Sequence, residues 1–347
     1  SGRTTLPSQL PADACHHYQR RASILFTVVN MPFSLTLKEY INRQIRQPVT
    51  PAIKNLSDTL LSTYENRIAA ILFYGSCLRT GDDRGGMVDL YVLVDRYRTF
   101  EPRRMLATLN KWLPPNVYYL EVPFENRRVR AKYAVLSLSD FESGTSNRWF
   151  HSYIWARFAQ PVGLLYARDE QVVQRVQSAL AQAVTTFISR VLPQVSSPFT
   201  ARDFWRKGLE LSYRAELRAE RPEKLVRLLA ATPEYYEHIT RSGLESLPLA
   251  VAIQNGDTTV IYALTIPDRV RRKSGFDWWV RRWQGKVLSV LRLLKGLLTF
   301  RGGVDYILWK IERHSGVKVE VSASLKRYPL IATCVIFWKL YLRGAYR

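Results

Sequence analysis

The sequence predicts an α+β protein: a sheet with flanking helices, followed by a mainly helical region. Three observations carry this. Two short apolar runs, Ile71–Tyr74 and Met87–Asp95, bracket the polar turn GDDRGG at 81–86. Two more strand-like runs, Val117–Pro123 and Val129–Leu138, are joined by Glu125-Asn126-Arg127, a hairpin signal. Beyond about residue 140 the apolar residues fall at helical spacing instead.

In order, Leu35–Gln47 has helical spacing and stops before Pro48. Pro51–Tyr64 opens with Thr50-Pro51, an N-cap followed by the residue best suited to a first helical turn. The Ile71 and Met87 strands follow, then a helix over Arg103–Leu113 that stops at Pro114-Pro115. With the hairpin this makes a sheet of about four strands by residue 140. Helices are then expected over Trp149–Ala159, Asp169–Val191 and Thr200–Arg221, the last with Asp203 placed as in a capping box. Further helices are expected over Pro222–Ala231, Pro233–Arg241 and Leu247–Leu264. The resulting division is a poorly ordered segment at 1–30, a sheet domain at 31–140, a helical domain at 141–265, and a basic amphipathic region at 266–347. No internal repeat or low-complexity segment is visible.

A chain of 347 residues with 47% apolar content can bury a sizeable core and is not disordered. Three cysteines (Cys15, Cys77, Cys334) make no disulfide framework, which points to a reducing compartment, and no Cys/His cluster points to zinc. With 51 Lys and Arg against 29 Asp and Glu, the net charge is +22. Such a surface attracts polyanions, nucleic acid or anionic membrane, and charge alone does not separate the two. No run reaches the ~18–20 apolar residues of a membrane span; the nearest, Tyr328–Trp338, ends at Lys339. No signal-peptide pattern opens the chain.

The stretch 268–300 interleaves Arg and Lys with Trp278, Trp279 and Trp283, then adds a leucine-rich stripe that includes Leu291, Leu294 and Leu298. Basic residues, interfacial tryptophans and an apolar face suit a helix lying in a membrane surface. The same pattern also fits a helix packed on the core with a basic outer face. A second apolar-aromatic patch at 328–347, with basic flanks, favours the membrane. A nucleic-acid groove has less use for so many leucines and valines, so nucleic acid is the weaker partner.

The chemistry centres on Tyr74-Gly75-Ser76 and Asp89. Glycine lets the backbone leave a strand tightly and approach a phosphate, and a following helix aims free N–H groups at it. Asp89, on the neighbouring strand, then faces the same place and is suited to Mg²⁺. Gly-Ser followed by hydrophobic-Asp-hydrophobic resembles the nucleotidyltransferase fold of the DNA polymerase beta superfamily. That pattern has a second acid two residues after the first, where this chain has Tyr91. Asp95, six residues along, lies ~20 Å away on an extended strand, too far to share an ion.

A closer resemblance rests on four segments in order. These are FYGSCLRT with MVDLYVLVD; NVYYLEVPFENRRVRAKYAVLSLSDF with Lys132; SYIWARFAQPVGLL with Arg157; and LSYRAELR with Glu216 and Arg218. Together they resemble the mitochondrial-type phosphatidate cytidylyltransferases, the translocator assembly and maintenance family, over roughly residues 70–230. The resemblance implies transfer of CMP from CTP to phosphatidate, giving CDP-diacylglycerol and pyrophosphate with Mg²⁺. It implies Asp89, Lys132 and Glu216 as catalytic residues, with Asp89 and Glu216 on the metal. Tyr74, Gly75, Ser76, Arg157 and Arg218 would bind the nucleotide. It also implies a peripheral enzyme on the matrix face of the mitochondrial inner membrane, or the cytoplasmic face in a bacterium. Cys77 and Glu216 depart from the family pattern, which has glycine and aspartate there, and Arg96 replaces a common acid. Two other readings stay open: a nucleotidyltransferase acting on RNA, protein or a small molecule, and a non-catalytic relative that binds anionic lipid. Base preference and oligomeric state have no signature in the sequence.

Overall fold

The computed structural model describes residues 36–299, other than 85, 102–103, 217–221, 249 and 256–259. Within helices and strands it leaves aside the side chains at 106, 222, 224, 255, 293–294 and 296–299. The expectations for 1–30, for Arg218, for the side chains of Leu294 and Leu298, and for 328–347 lie outside the described residues.

The protein is α+β. Helix α1 (Leu37–Ile45) starts at a reciprocal cap: Thr36 Oγ1 accepts the Glu39 N–H, and the Glu39 carboxylate accepts the Thr36 N–H. Helix α2 (Pro51–Tyr64) has Thr50 as its cap and proline at its first position, as the sequence predicts. Then come β1 (Ile68–Tyr74), the short helix α3 (Ser76–Thr80), β2 (Val88–Val94), α4 (Tyr97–Phe100) and α5 (Arg104–Trp112). The expected hairpin follows as β3 (Asn116–Phe124) and β4 (Arg127–Ser137), with α6 (Leu138–Thr145) and the one-turn α7 (Trp155–Phe158) after it.

The sheet has five strands in the order β3-β4-β2-β1-β5, the last being β5 (Gly163–Ala167). Strand β2 runs parallel to β4 and antiparallel to β1, so the sheet is mixed. Alternation along β2 divides its residues between two cores. Val88, Leu90, Val92 and Val94 face one that includes Ile53, Leu56 and Leu60 of α2. Tyr91 and Leu93 face the other, built around α8 (Glu170–Val191) and the helices that follow. Asp89 shares the second face, at the strand's open end.

Past α8 come β6 (Phe199–Thr200), α9 (Ala201–Arg214), α10 (Pro222–Ala230), α11 (Pro233–Glu245), β7 (Ala252–Asn255), β8 (Val260–Ala263) and α12 (Asp268–Thr299). Four expectations need correction. The stretch 247–264 is not a helix but carries the antiparallel pair β7–β8, and β8 also pairs β6. Asn255-Gly256-Asp257 between β-branched residues is a hairpin signal that outweighs the helical spacing. The stretch 163–167, with no helical role, adds the fifth strand on β1. Helix 149–159 shrinks to Trp155–Phe158, because the Tyr153 N–H bonds to His151 Nδ1 instead of a helical carbonyl. Helix 200–221 ends at Arg214, where the Ala215 N–H turns back to the carbonyls of Ser212 and Tyr213.

Helix α12 inverts the usual arrangement of a surface helix. Phe276, Trp279, Trp283, Val287, Val290 and Leu291 are exposed, and their spacing puts them along one stripe. Arg281 and Lys295 are buried on the inner side. Trp278, expected at a membrane surface, is instead buried: its ring meets Trp155 edge-on and its Nε1 donates to the Arg190 carbonyl at 3.0 Å. One residue is a 100° step around a helix, so neighbouring tryptophans can lie inside and outside. Among the described residues no helix is long and apolar enough to cross a membrane.

Candidate functional site

Strand register assembles the first wall of the site. Tyr74 of β1 stands opposite Asp89 of β2, and Asp89 opposite Lys132 of β4. Residues side by side in adjacent strands project from the same face. One row across three strands therefore presents a phenol, a carboxylate and an ammonium to one cleft. Lys132 Nζ lies 3.6 Å from Asp89 Oδ1, and both side chains are half-buried.

Gly75 caps this row. Its φ of +93° lies in the region that disfavours side chains, and a Cβ there would stand 2.6 Å from Asp89 Oδ2. Only glycine lets the chain pass over the carboxylate and turn into α3. That helix is five residues long, closes at Gly81, and brings Ser76 and Arg79 to the cleft. Its first N–H groups have no partner inside the helix.

The second wall comes from the helical region. Arg157, on α7, donates to the Tyr91 hydroxyl at 3.1 Å and to the Glu216 carboxylate at 3.4 Å. Its guanidinium also lies over the rings of Tyr153, 4.2 Å from the centroid, and Tyr74, 5.8 Å away. Burial alone would lower the Arg157 pKa, but Tyr153, Tyr91 and Glu216 around it raise it well above the usual value. Arg292, from α12, also lies 4.2 Å from the Tyr153 centroid. Burial would raise the Tyr153 phenol, but Arg157 and Arg292 outweigh it and bring it below the ordinary tyrosine value. Beneath them, burial followed by Arg292, Arg157 and Arg281 pushes the His151 pKa down to about 3. His151 is therefore neutral at physiological pH.

Between the walls lies a cleft of about 310 Å³, lined by Tyr74, Gly75, Ser76, Arg79, Asp89, Lys132, Tyr153, Arg157 and Glu216 among others. The structure brings together seven residues singled out in the sequence: Tyr74, Gly75, Ser76, Asp89, Lys132, Arg157 and Glu216. Glu216 sits just beyond the end of α9 rather than on a helix. Asp95 does not join them; it pairs with Arg168 at 2.7 Å. Arg79, Tyr153 and Arg292 were missed. The helical spacing of Ser76 and Arg79 signals the first, whereas no local pattern links 153 with 292.

Two carboxylates and three cations suit a polyphosphate bound with a metal ion. Mg²⁺ is held by one or two carboxylates, completing its shell with water and substrate phosphates, and Asp89 and Glu216 fit that donor set. Among the described residues no three His, Cys, Asp or Glu gather at one point. Tyr91, where a second acid would stand on β2, is fully buried between Tyr74 and Phe158 and offers its oxygen to Arg157.

The sequence model of a family described as "Phosphatidate cytidylyltransferase, mitochondrial" matches residues 91–265. A crystal structure of a nucleotidyltransferase-like protein from Exiguobacterium sibiricum aligns over 62% of this chain and 100% of its own, at 11% identity. The TM-score is 0.22. No curated protein matches the chain significantly.

Proposed function

The chain belongs to the mitochondrial phosphatidate cytidylyltransferase family, and from that premise we propose that the cleft over Asp89 transfers CMP from CTP to phosphatidate. The observation that carries this reading is the row Tyr74–Asp89–Lys132 under Gly75, facing Arg157 and Glu216 across a cleft of about 310 Å³. A phosphatidate oxygen forms a bond to the α-phosphorus of CTP, the bond from that phosphorus to the bridging oxygen breaks, and pyrophosphate leaves.

The attacking group needs no protein base. A phosphate monoester has its second ionisation near pKa ~6, so it is largely a dianion at neutral pH. What the protein must supply is positioning and charge neutralisation. Asp89 and Glu216 would hold Mg²⁺, which when bound offsets charge on the phosphates. Each of these acids now has a cation against it, Lys132 and Arg157. On this reading Lys132 and Arg157 exchange carboxylate for phosphate when the nucleotide arrives, and Arg79 adds a third contact from α3. Gly75 and Ser76 let the backbone close on the triphosphate.

The exposed stripe of α12, with Arg272, Lys273, Arg282 and Lys286 also exposed, would rest on an anionic membrane and bring the cleft to its lipid substrate. The protein is then peripheral, on the matrix face of the inner membrane or the cytoplasmic face in a bacterium. The test is pyrophosphate release in mixed micelles with CTP, ATP, GTP or UTP, with and without phosphatidate and with and without a chelator. CTP-selective release that needs both phosphatidate and divalent cation supports the reading. Release independent of phosphatidate refutes the lipid acceptor.

A further inference from the structure

Arg157 is held by Tyr91, Glu216 and Tyr153, with the Tyr74 ring farther off, and α12 touches the chain at Tyr153 and beside Glu216. At the first, Arg292 lays its guanidinium over the Tyr153 ring at the same 4.2 Å distance as Arg157. Arg292 is itself fixed, because its Nε donates to the Pro114 carbonyl at 2.9 Å. One turn on, Lys295 Nζ donates to the carbonyls of Leu113 and Pro115 at 2.5 and 3.1 Å, tying the same end of the helix to the same loop. At the second, α12 meets the chain beside Glu216 with no side chain between. A Cβ on Gly285 would fall 1.8 Å from the Ala215 carbonyl oxygen. A third contact lies just upstream, where Arg281 Nε donates to the Phe150 carbonyl at 2.8 Å.

We propose that α12 is a positioning element of the cleft, acting through Arg292 on Tyr153 and through Gly285 on Ala215 and Glu216. Together these set the direction of the Arg157 guanidinium. This rests on the reading of the cleft as the CTP site and adds a role that the outer, apolar stripe of α12 does not require. An arginine between a carboxylate, a phenol and a ring has its plane dictated by all three, and a planar fork meets phosphate only in some orientations. A shift of α12 along its axis moves the ring and the carboxylate together. Interfaces packed backbone to backbone pass such shifts on rather than absorbing them. The helix that would lie on the membrane is thus also part of the frame that orients a phosphate-binding group.

The test measures KM for CTP and kcat by pyrophosphate release in mixed micelles for the wild type, Arg292→Gln, Arg292→Lys, Tyr153→Leu and the double variant Arg292→Gln/Tyr153→Leu. Thermal midpoints are recorded for each. Both Arg292 variants are expected to raise KM for CTP about tenfold, with less change in kcat and little in the midpoint, because a stacked cation is worth on the order of 1–2 kcal/mol when desolvated. Lysine keeps the charge but not the plane, so it should not rescue. In the double variant Arg292→Gln should add less than about twofold to the effect of Tyr153→Leu, as expected for residues acting in one chain of contacts. Gly285→Ala should raise KM in the same direction; if it fails to fold, the Arg292 pair still decides. Unmoved KM in both Arg292 variants, full rescue by lysine, or independent effects in the double variant would overturn the inference. A wild type with no saturable CTP dependence would overturn the CTP reading itself, and this inference with it.

Discussion

The sheet wall of the cleft is held by backbone ladders, whereas the helical wall is held by side chains. Tyr74, Asp89 and Lys132 are aligned because β1, β2 and β4 are paired at those positions. Their backbone positions cannot shift without breaking strand hydrogen bonds. Arg157 and Glu216 meet through one 3.4 Å contact, supported by phenols and by a helix from far along the chain. A reacting centre benefits from the rigid wall, because catalytic groups must stay within a fraction of an ångström of their working geometry. The adjustable wall suits binding, where a side chain exchanges an internal carboxylate for an incoming phosphate.

The sheet wall is most sensitive at Gly75. Gly75→Ala drives a methyl into the Asp89 carboxylate from a strained backbone. It should cut kcat/KM by roughly 100-fold, the scale on which a misplaced group about 1 Å away costs rate, while circular dichroism stays native. A near-normal Gly75→Ala enzyme would mean that the sheet wall is not the reacting side. On the other wall, Arg157→Lys keeps the charge and loses the fork. About a tenfold fall in kcat/KM, mostly in KM for CTP, is the size expected for lost charge-assisted hydrogen bonds. If it fell further than Gly75→Ala, the roles of the two walls would have to be exchanged.

The adjacent tryptophans of α12 sharpen the same contrast. Trp278→Ala empties a buried site and should cost about 3–5 kcal/mol in urea-unfolding stability. Trp279→Ala, on the exposed stripe, should leave stability within about 0.5 kcal/mol and weaken sedimentation with phosphatidate vesicles. Equal losses of stability would remove the distinction between the helix's two sides.

A subtler effect concerns pH. His151 has a folded-state pKa of about 3, well below the ordinary value of ~6.5. Between those values the unfolded chain binds a proton that the native protein refuses, so stability rises with pH across that window and is lost as pH falls below ~6.5. By pH 4 the loss should be on the order of 2–3 kcal/mol. His151→Gln should flatten this part of the stability curve, measured by urea midpoints at pH 7 and pH 4.5. An unchanged slope would mean that burial, with the three arginines around it, does not hold the imidazole neutral.

The two walls also differ in how much of them could be read in the sequence. The strands around Gly75 and Asp89 are local patterns, and the strand–turn–strand grammar gave both residues their place. Thr50-Pro51 likewise marks the start of α2 without help from the rest of the chain. The parallel pairing that sets Lys132 beside Asp89 is a tertiary fact, because no local signal says which strands become neighbours. Helix termini were legible where a proline or cap stood, but the end of α9 at Arg214 was not, since Gly285 presses there from 70 residues away. Trp278 and Trp279 could not be told apart because the inner side of α12 carries Arg281 and Lys295. Those cations are satisfied or stacked in the fold, yet in a sequence they read as solvent-facing. Tyr153 and Arg292 illustrate the limit: an aromatic and a cation far apart in the chain acquire meaning only when α12 is docked.

The most direct measurement follows a label on the α-phosphate of CTP. Wild-type protein with phosphatidate and Mg²⁺ should move that label into the lipid phase as CDP-diacylglycerol. Asp89→Asn, which keeps the shape and removes the charge, should drop transfer by more than ~100-fold, beyond the loss typical of an outer-shell partner, with the fold intact. Label reaching lipid at the wild-type rate in Asp89→Asn, or pyrophosphate released without labelled lipid in the wild type, would contradict the account.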